Sequence, residues 1–271
     1  MEGKEIRWWV NWSAAISQMA NIIIKKSDLY RLFWRSFCLQ AVWNFERMQN
    51  LGFLYILAPV LNKLYPEKEK RIQSYRRHLE FFNTHPYFAN ALVGIVARLE
   101  EEMAKGGEVK PEQITTVKMS MGGAFGGIGD SLFWGAWRPF TALVACVLVI
   151  IYLRKWEGAW LAPLIFLFLY NFLHFHTRIR GVMEGYEKKT KIVRLFKKMH
   201  YSRTIWTSHL LGIGLILLAV TIIFFRDWKA IERLYFLAFF ISMVFVNRWR
   251  ISSAKLLYLL IGVSCIGVYI F

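Results

Sequence analysis

The chain has 271 residues, 56% of them hydrophobic and 17% aromatic, with 35 Lys and Arg against 18 Asp and Glu and a formal net charge of +17. Soluble domains carry about 45–50% apolar and about 25% charged residues; here charged residues fall to 20% and mean hydropathy is +0.34, the composition of a membrane protein. A disordered basic chain is excluded by the 22 Phe, 12 Tyr and 12 Trp, and a soluble nucleic-acid binder by cations that stand in blocks between apolar runs, where juxtamembrane Lys/Arg facing anionic lipid is the simpler account.

Residues 1–26 read as an arm, with Trp8, Trp9 and Trp12 beside Lys4 and Arg7 and without the apolar region and small-residue cleavage site of a signal peptide. It is expected to be a short interfacial helix, its indoles at headgroup level, or an upstream extension if translation starts at Met19. To residue 138, charged helices alternate with uncharged runs at 49–62, 86–97 and 119–129. Each is shorter than the roughly 20 residues a span requires, so they are expected to be partial or re-entrant. Pro66 is placed to open a helix on which Ile72, Tyr75, Leu79 and Phe82 share a face, leaving Arg71, Arg76 and Arg77 elsewhere on the surface. A second helix is predicted from Tyr87 to Lys105, stopped by Gly106-Gly107, and Pro111 starts a third. The run Glu100-Glu101-Glu102, with Arg98 and Lys105 at helical spacing, reads as a solvated face.

In the second half, 139–153 and 158–177 are nearly continuous apolar runs, and Arg178–Arg203 then carries nine Lys/Arg, a cytoplasmic marker. Uncharged runs follow at 204–225, 234–247 and 256–271, of which the first is long enough to span. Cys38, Cys146 and Cys265 are widely spaced among apolar neighbours and read as small core residues, not a disulfide or zinc set.

Three stretches could carry chemistry. Trp43–Phe53 brings Asn44, Glu46, Arg47, Gln49 and Asn50 into an apolar run; on a helix Glu46 would share a face with Gln49 and Asn50. Amides and a carboxylate beside an indole suit a polyol, and a Glu–Arg pair satisfying itself at membrane depth explains the same residues. In His78–Pro86, Asn83 and Thr84 stand where a helix should end, so capping of the next helix competes with ligand binding. Met121–Trp134 holds five glycines in eight residues, then Asp130 and Trp134. It lacks the Lys-Ser/Thr of a phosphate loop and the preceding strand of a dinucleotide site. A broken membrane helix with Asp130 as a ligand is expected there, against a tight glycine-mediated helix crossing. His174 and His176 are two apart and no His-x-x-x-His pair occurs, which argues against a di-metal oxidase. No cofactor or metal is expected.

Together, Trp43–Phe53, His78–Pro86, Leu99-Glu100-Glu101 and Gly126–Pro139 resemble the IID membrane subunit of the mannose/fructose/sorbose family of the bacterial phosphoenolpyruvate:sugar phosphotransferase system. The resemblance is close from Ser27 to Arg138, continues through Gly181–Tyr186, and weakens beyond about residue 187, where a compact basic connection replaces the family's longer glycine-containing one. It implies an all-α polytopic protein of the bacterial inner membrane, with re-entrant or broken helices in the first half, transmembrane helices in the second, and a membrane domain over residues 27–271. It also implies a transport subunit rather than an enzyme, paired with a IIC subunit in a trimer of such pairs. Phosphate is then relayed by cytoplasmic IIA and IIB carriers, the sugar binds within the membrane, and nucleic acid has no role. Asn44, Glu46, Gln49, Asn83, Thr84, Gly129, Asp130 and Trp134 fall within the matched motifs and are the expected sugar-binding residues, with Glu46 and Asp130 as hydroxyl acceptors. The competing reading is a structural or regulatory membrane protein on the same scaffold, motivated by the divergent basic connection; a stand-alone membrane enzyme is a distant third.

Overall fold

The structure, a computed structural model, describes residues 23–152, 158, 160–189 and 201–225. The arm up to residue 22, most of the basic connection and the apolar runs at 234–247 and 256–271 lie outside the described residues. The chain divides into two units, Met1–Leu215 and Ile216–Phe271, and the buried carboxylates and the cleft belong to the first. Its described elements are all helical: α1 Lys26–Arg35 with a 3₁₀ turn Ser36–Cys38, α2 Asn50–Leu64, α3 Lys68–His78, α4 Ala89–Ala104, α5 Pro111–Gly129, a π-helical segment Asp130–Trp137, α6 Arg138–Tyr152 and α7 Leu161–Lys188. The helix α8, Tyr201–Phe224, continues into the second unit. Among the described residues the β-pairing is confined to two isolated bridges.

The core is organised around α4. Its sequence from Ala89 to Ala97 is uncharged, dense in Ala and Gly, and buried on every side, as expected of a central helix rather than an amphipathic one. Small residues let a neighbour approach closely. Gly181 and Gly185 of α7 are four apart and lie against Asn90 and Ala91, while Gly94 of α4 lies against Val182 and Gly185; a Cβ on Gly94 or Gly185 would overlap a backbone carbonyl oxygen of the facing helix. The glycines therefore set the distance between α4 and α7. Gly106, with φ +78, ends α4 two residues after its last helical position, and Pro111 opens α5 at its first turn.

The acidic run on α4 is not a solvated face. Glu100 and Glu101 are fully buried, because α2, α3 and α7 all converge on them. Glu100 accepts two bonds from Arg77 (both 2.9 Å), one from the Tyr65 hydroxyl (2.7 Å) and one from His78 Nε2 (2.8 Å). Glu101 accepts from Tyr186 of α7, Lys105 (2.9 Å), and the backbone N–H groups of Ile23 and Ile24 (2.6 and 3.3 Å). Burial alone would raise both carboxyls. At Glu100 the bonds from His78 and Arg77 outweigh it and hold the group at about 2; at Glu101 those from Tyr186, Lys105 and the two backbone N–H groups lower it as well.

Several other sequence expectations change as well. Helix α3 ends at His78, so Leu79 and Phe82 lie beyond it, Ile72 is exposed, and the buried positions are Ser74 and His78. Arg77 is drawn in by Glu100 instead of lying on the surface, and Arg178, first of the basic block, is buried with bonds to Ser36 (2.8 and 2.9 Å) and His174 (2.8 Å). Cys38 and Cys146 are exposed, not core; Cys265 lies outside the described residues. Among the described residues, two helices are long and apolar enough to cross a membrane, Pro111–Tyr152 taken through its π-helical segment and Tyr201–Ile222.

Two measurements test this framework. Replacing Gly185 with Ala should lower the thermal unfolding temperature of the purified protein by several degrees, because the added methyl meets the Ala91 carbonyl, whereas Gly214→Ala, with open space at its Cβ, should not lower it. Glu100→Gln should cost about 3 kcal/mol or more by leaving Arg77 without its charge partner. Because the folded-state value of Glu100 (about 2) lies below its ordinary 4.5, its contribution is complete above about pH 4.5 and is lost as pH falls toward 2. An acid titration of the unfolding temperature should therefore show a steeper fall in that window for the parent than for Glu100→Gln.

Candidate functional site

A cleft of about 390 Å³ opens between the 40–49 loop, the Asn83–Pro86 segment and one face of α5 with its π-helical continuation, within the range of about 300–1,000 Å³ usual for small-molecule sites. Its walls include Trp43, Gln49, Asn83, Thr84, Asp130 and Trp134.

The glycines of α5 have two separate jobs, visible in their spacing. Gly122, Gly126 and Gly129 face the Asn83–His85 segment: a Cβ on Gly122 would sit 3.1 Å from the Asn83 carbonyl oxygen, one on Gly126 3.8 Å from Thr84 Cα, and one on Gly129 would overlap the His85 side chain. Gly123 and Gly127 have nothing within 4 Å of such a Cβ and both border the cleft. Positions 123, 127, 130 and 134 recur at helical spacing, so Asp130 and Trp134 project from the face that these two glycines keep bare. The irregularity expected at this glycine run takes the form of a π-helical segment beginning at Asp130, not of unwound backbone. Such segments concentrate at functional positions.

The opposing segment is held by Gln49. Its amide nitrogen donates to the Thr84 carbonyl (2.9 Å) and its amide oxygen accepts from the Thr84 N–H (3.1 Å), so both amide ends are spent on positioning Thr84. Capping does not explain Asn83 and Thr84. The next helix begins at Ala89 after Phe88 with no side-chain cap, Asn83 is exposed at the cleft, and the buried Thr84 hydroxyl has no partner. His85 is buried, stacked on Phe133 with ring centroids 5.3 Å apart, and accepts a 3.3 Å bond at Nδ1 from the Tyr87 N–H; this puts its ring proton on Nε2, which is unpartnered. Burial, with the charge of Arg178 adding to it, pushes the imidazole down to about 4, so it is neutral near pH 7.

Of the expected residues, the cleft gathers Gln49, Asn83, Thr84, Asp130 and Trp134, while Gly129 lies beneath His85 just outside its lining. Asn44 and Glu46 are elsewhere, because residues 43–49 form a turn and not the helix that would have shared Glu46 with Gln49 and Asn50. Asn44 is used inside that turn, and Glu46, 77% exposed, pairs with Arg47 at 3.1 Å. Trp43, the indole of the first motif, lines the cleft, as do Gln40, His85 and Pro86, which were not among the expected contacts. The 123-127-130-134 spacing places these positions on one helix face, but nothing local announces that this face is the bare one, or that Gln40 joins it. A carboxylate, an amide and two indoles around a bare glycine face can bind a polyol, hydroxyls to the polar groups and the apolar ring face to an indole.

The model of the PTS system mannose/fructose/sorbose family IID component matches residues 23–224. The chain is 42% identical over 173 residues to the PTS system mannose-specific EIID component of Escherichia coli K12, covering 63% of this chain and 59% of that protein. It is 35% identical over 171 residues to the fructose permease IID component of Bacillus subtilis, covering 63% and 60%. It therefore spans less than two thirds of the length of these relatives. A chain of the mannose transporter ManYZ, solved with microcin E492, is similar in structure with a TM-score of 0.58 and 29% identity over 91% of this chain and 96% of that one. A second membrane-protein structure gives a TM-score of 0.70 at 29% identity over 90% and 96%.

Gln49→Ala should cost about 1–3 kcal/mol, the penalty for leaving the Thr84 N–H and carbonyl unpaired. Thermal unfolding of the purified variant measures it, and Gln49→Glu, which keeps only the accepting half, should recover no more than part of the loss.

Proposed function

This chain belongs to the mannose/fructose/sorbose family of phosphotransferase-system IID components, and from that premise we propose that it forms, with a IIC partner, the translocation path and binding site for a hexose of that class. It works as a multi-pass subunit of the bacterial inner membrane, its membrane domain running over residues 27–271 after the arm at 1–26. Phosphoryl transfer falls to cytoplasmic IIA and IIB carriers, and the IIC–IID pairs assemble as trimers. The chain itself is a transport subunit and performs no phosphoryl transfer.

The observation that carries the reading is the bare glycine face of α5 bordered by Asp130 and Trp134 and set across from Asn83 and Thr84. Glycines at 123 and 127 let a ligand lie against helical backbone, which is useful only if something occupies that space. Asp130 then accepts from sugar hydroxyls, Asn83 donates and accepts beside it, and Trp134 covers an apolar ring face. Gln49 acts through Thr84, which it positions. Gly129 acts through His85, for which it leaves room. Glu46, exposed and paired with Arg47, is assigned to the rim rather than to the sugar.

The test is uptake of a sugar panel by the chain co-expressed with its IIC, IIA and IIB partners. Asp130→Asn, which removes the charge and keeps the shape, should abolish uptake while the variant still co-purifies with IIC. Undiminished transport by Asp130→Asn would remove Asp130 from the site. A parent complex that assembles and transports no sugar would favour the structural or regulatory role on the same scaffold.

A further inference from the structure

The loop from Gln40 to Met48 borders the cleft and ends in the most exposed large apolar side chain among the described residues, Phe45 at 88%. Single exposed apolar residues are common on protein surfaces and need no explanation by themselves. Phe45 differs in how firmly its turn is built. Asn44 and Met48 exchange both backbone hydrogen bonds (3.0 and 2.9 Å), Asn44 Oδ1 accepts the Arg47 N–H (2.8 Å), and Asn44 Nδ2 donates to Asn50 Oδ1 (2.9 Å). The Gln49 N–H is bonded to the Phe82 carbonyl (2.8 Å), which fixes the turn to the Asn83–Pro86 segment. Met48 is held at φ +56, a left-handed conformation that a residue with a side chain seldom adopts, and strain of that kind clusters where the surroundings impose it for a function. The Trp43 ring meets the Phe45 ring edge-on at 5.0 Å and limits its rotation.

Lipid is a poor neighbour for this tip. Glu46 and Arg47 follow Phe45 with side chains 77% and 50% exposed, and both charges would have to be desolvated if the ring entered hydrocarbon. The apolar faces elsewhere contrast with it: Leu164, Phe168 and Phe172 on α7 are exposed without a charge between them, as a lipid-facing surface should be. An aromatic side chain presented on a rigid turn, with an acid and a base at its rim, matches the anatomy of a protein–protein anchor. The ordering cost is met before the partner arrives. Trp43 and Gln40 before the tip and Gln49 after it line the cleft, so a partner seated on Phe45 stands at the cleft's edge.

We infer that Phe45 is the anchor on which a second membrane subunit, one presenting an apolar socket with a polar rim, docks to this chain and completes the wall of the cleft. The inference rests on the proposed pairing with IIC and names the surface that the pairing uses. It is tested in the co-expressed complex in native membranes with a photoreactive benzoylphenylalanine at position 45. Irradiation should give a covalent product containing both chains, and the same probe at position 168 should not. In parallel, Phe45→Ala should lower recovery of IIC with the tagged chain at least 10-fold, Phe45→Trp should restore it, and the thermal unfolding of the isolated chain should change little. A photoproduct with lipid alone or with a second copy of this chain, or undiminished IIC recovery by Phe45→Ala, would overturn the inference while leaving the pairing intact. Failure of the parent chain to recover IIC would instead remove the pairing, and this surface with it. If Phe45→Ala does not fold, the crosslinking arm still decides, since its probe keeps an aromatic ring at position 45.

Discussion

Two adjacent carboxylates on one buried helix, Glu100 and Glu101, tie together most of the first unit. Neighbouring positions on a helix point in directions about 100° apart, so the pair reaches two sides at once. Glu100 gathers Tyr65 at the end of α2 and Arg77 and His78 at the end of α3, and Glu101 gathers Tyr186 of α7 and the chain entering at Ile23 and Ile24. Burial of two such charges is tolerable only because every direction around them holds a donor, and the bidentate Arg77 is the strongest of these. His78 joins as a neutral donor: its Nδ1 is buried without a partner, which would leave a second N–H unsatisfied were the ring charged.

This arrangement reaches the cleft through packing. The His78 ring contacts Phe53, Phe53 lies 4.0 Å from Phe82 between ring centroids, and Phe82 leads directly into Asn83 and Thr84. Lys118 of α5, fully buried, donates to the Arg77 carbonyl at 2.7 Å, so the glycine-bearing helix is attached to the same junction. Two of the cleft's walls, the Asn83–Pro86 segment and α5, therefore take their positions from the end of α3, and the carboxylates of α4 fix that end. A binding surface assembled from a loop and a helix needs such support, since side chains on unsupported loops lose the geometry that recognition depends on.

The glycines divide between closeness and vacancy. Gly94, Gly181 and Gly185 let α4 and α7 touch backbone to backbone, Gly122, Gly126 and Gly129 let the Asn83–His85 segment lie on α5, and Gly123 and Gly127 leave space unfilled beside the cleft. A glycine-mediated contact and a ligand-facing surface had been competing explanations for the run at 122–129. The packed contact is on one face of the helix, and the face left open is a separate one that borders the cleft.

Composition and pattern by themselves determined that the chain is a helical membrane protein and where α4 stops and α5 starts, because hydropathy, Gly106 and Pro111 act locally. Which glycines form the bare face was not readable, since 122, 126 and 129 recur at the same helical spacing as 123, 127 and 130 and differ only in having the Asn83–His85 segment seated on them. What the sequence left open was which charges are buried. Glu100 and Glu101 look like a solvated i,i+4 face until Arg77, Tyr65 and Tyr186, 23 to 85 positions away, close over them, and no local pattern encodes such a convergence. The turn at 44–48 was equally hidden. Its residues are compatible with a helix, and only the bridges from Asn44 to Met48 and from Met48 to Phe82 carry Glu46 away from Gln49 and turn Phe45 outward. Tertiary structure decided these points because a buried charge and a strained turn are each stable only with partners brought from distant parts of the chain.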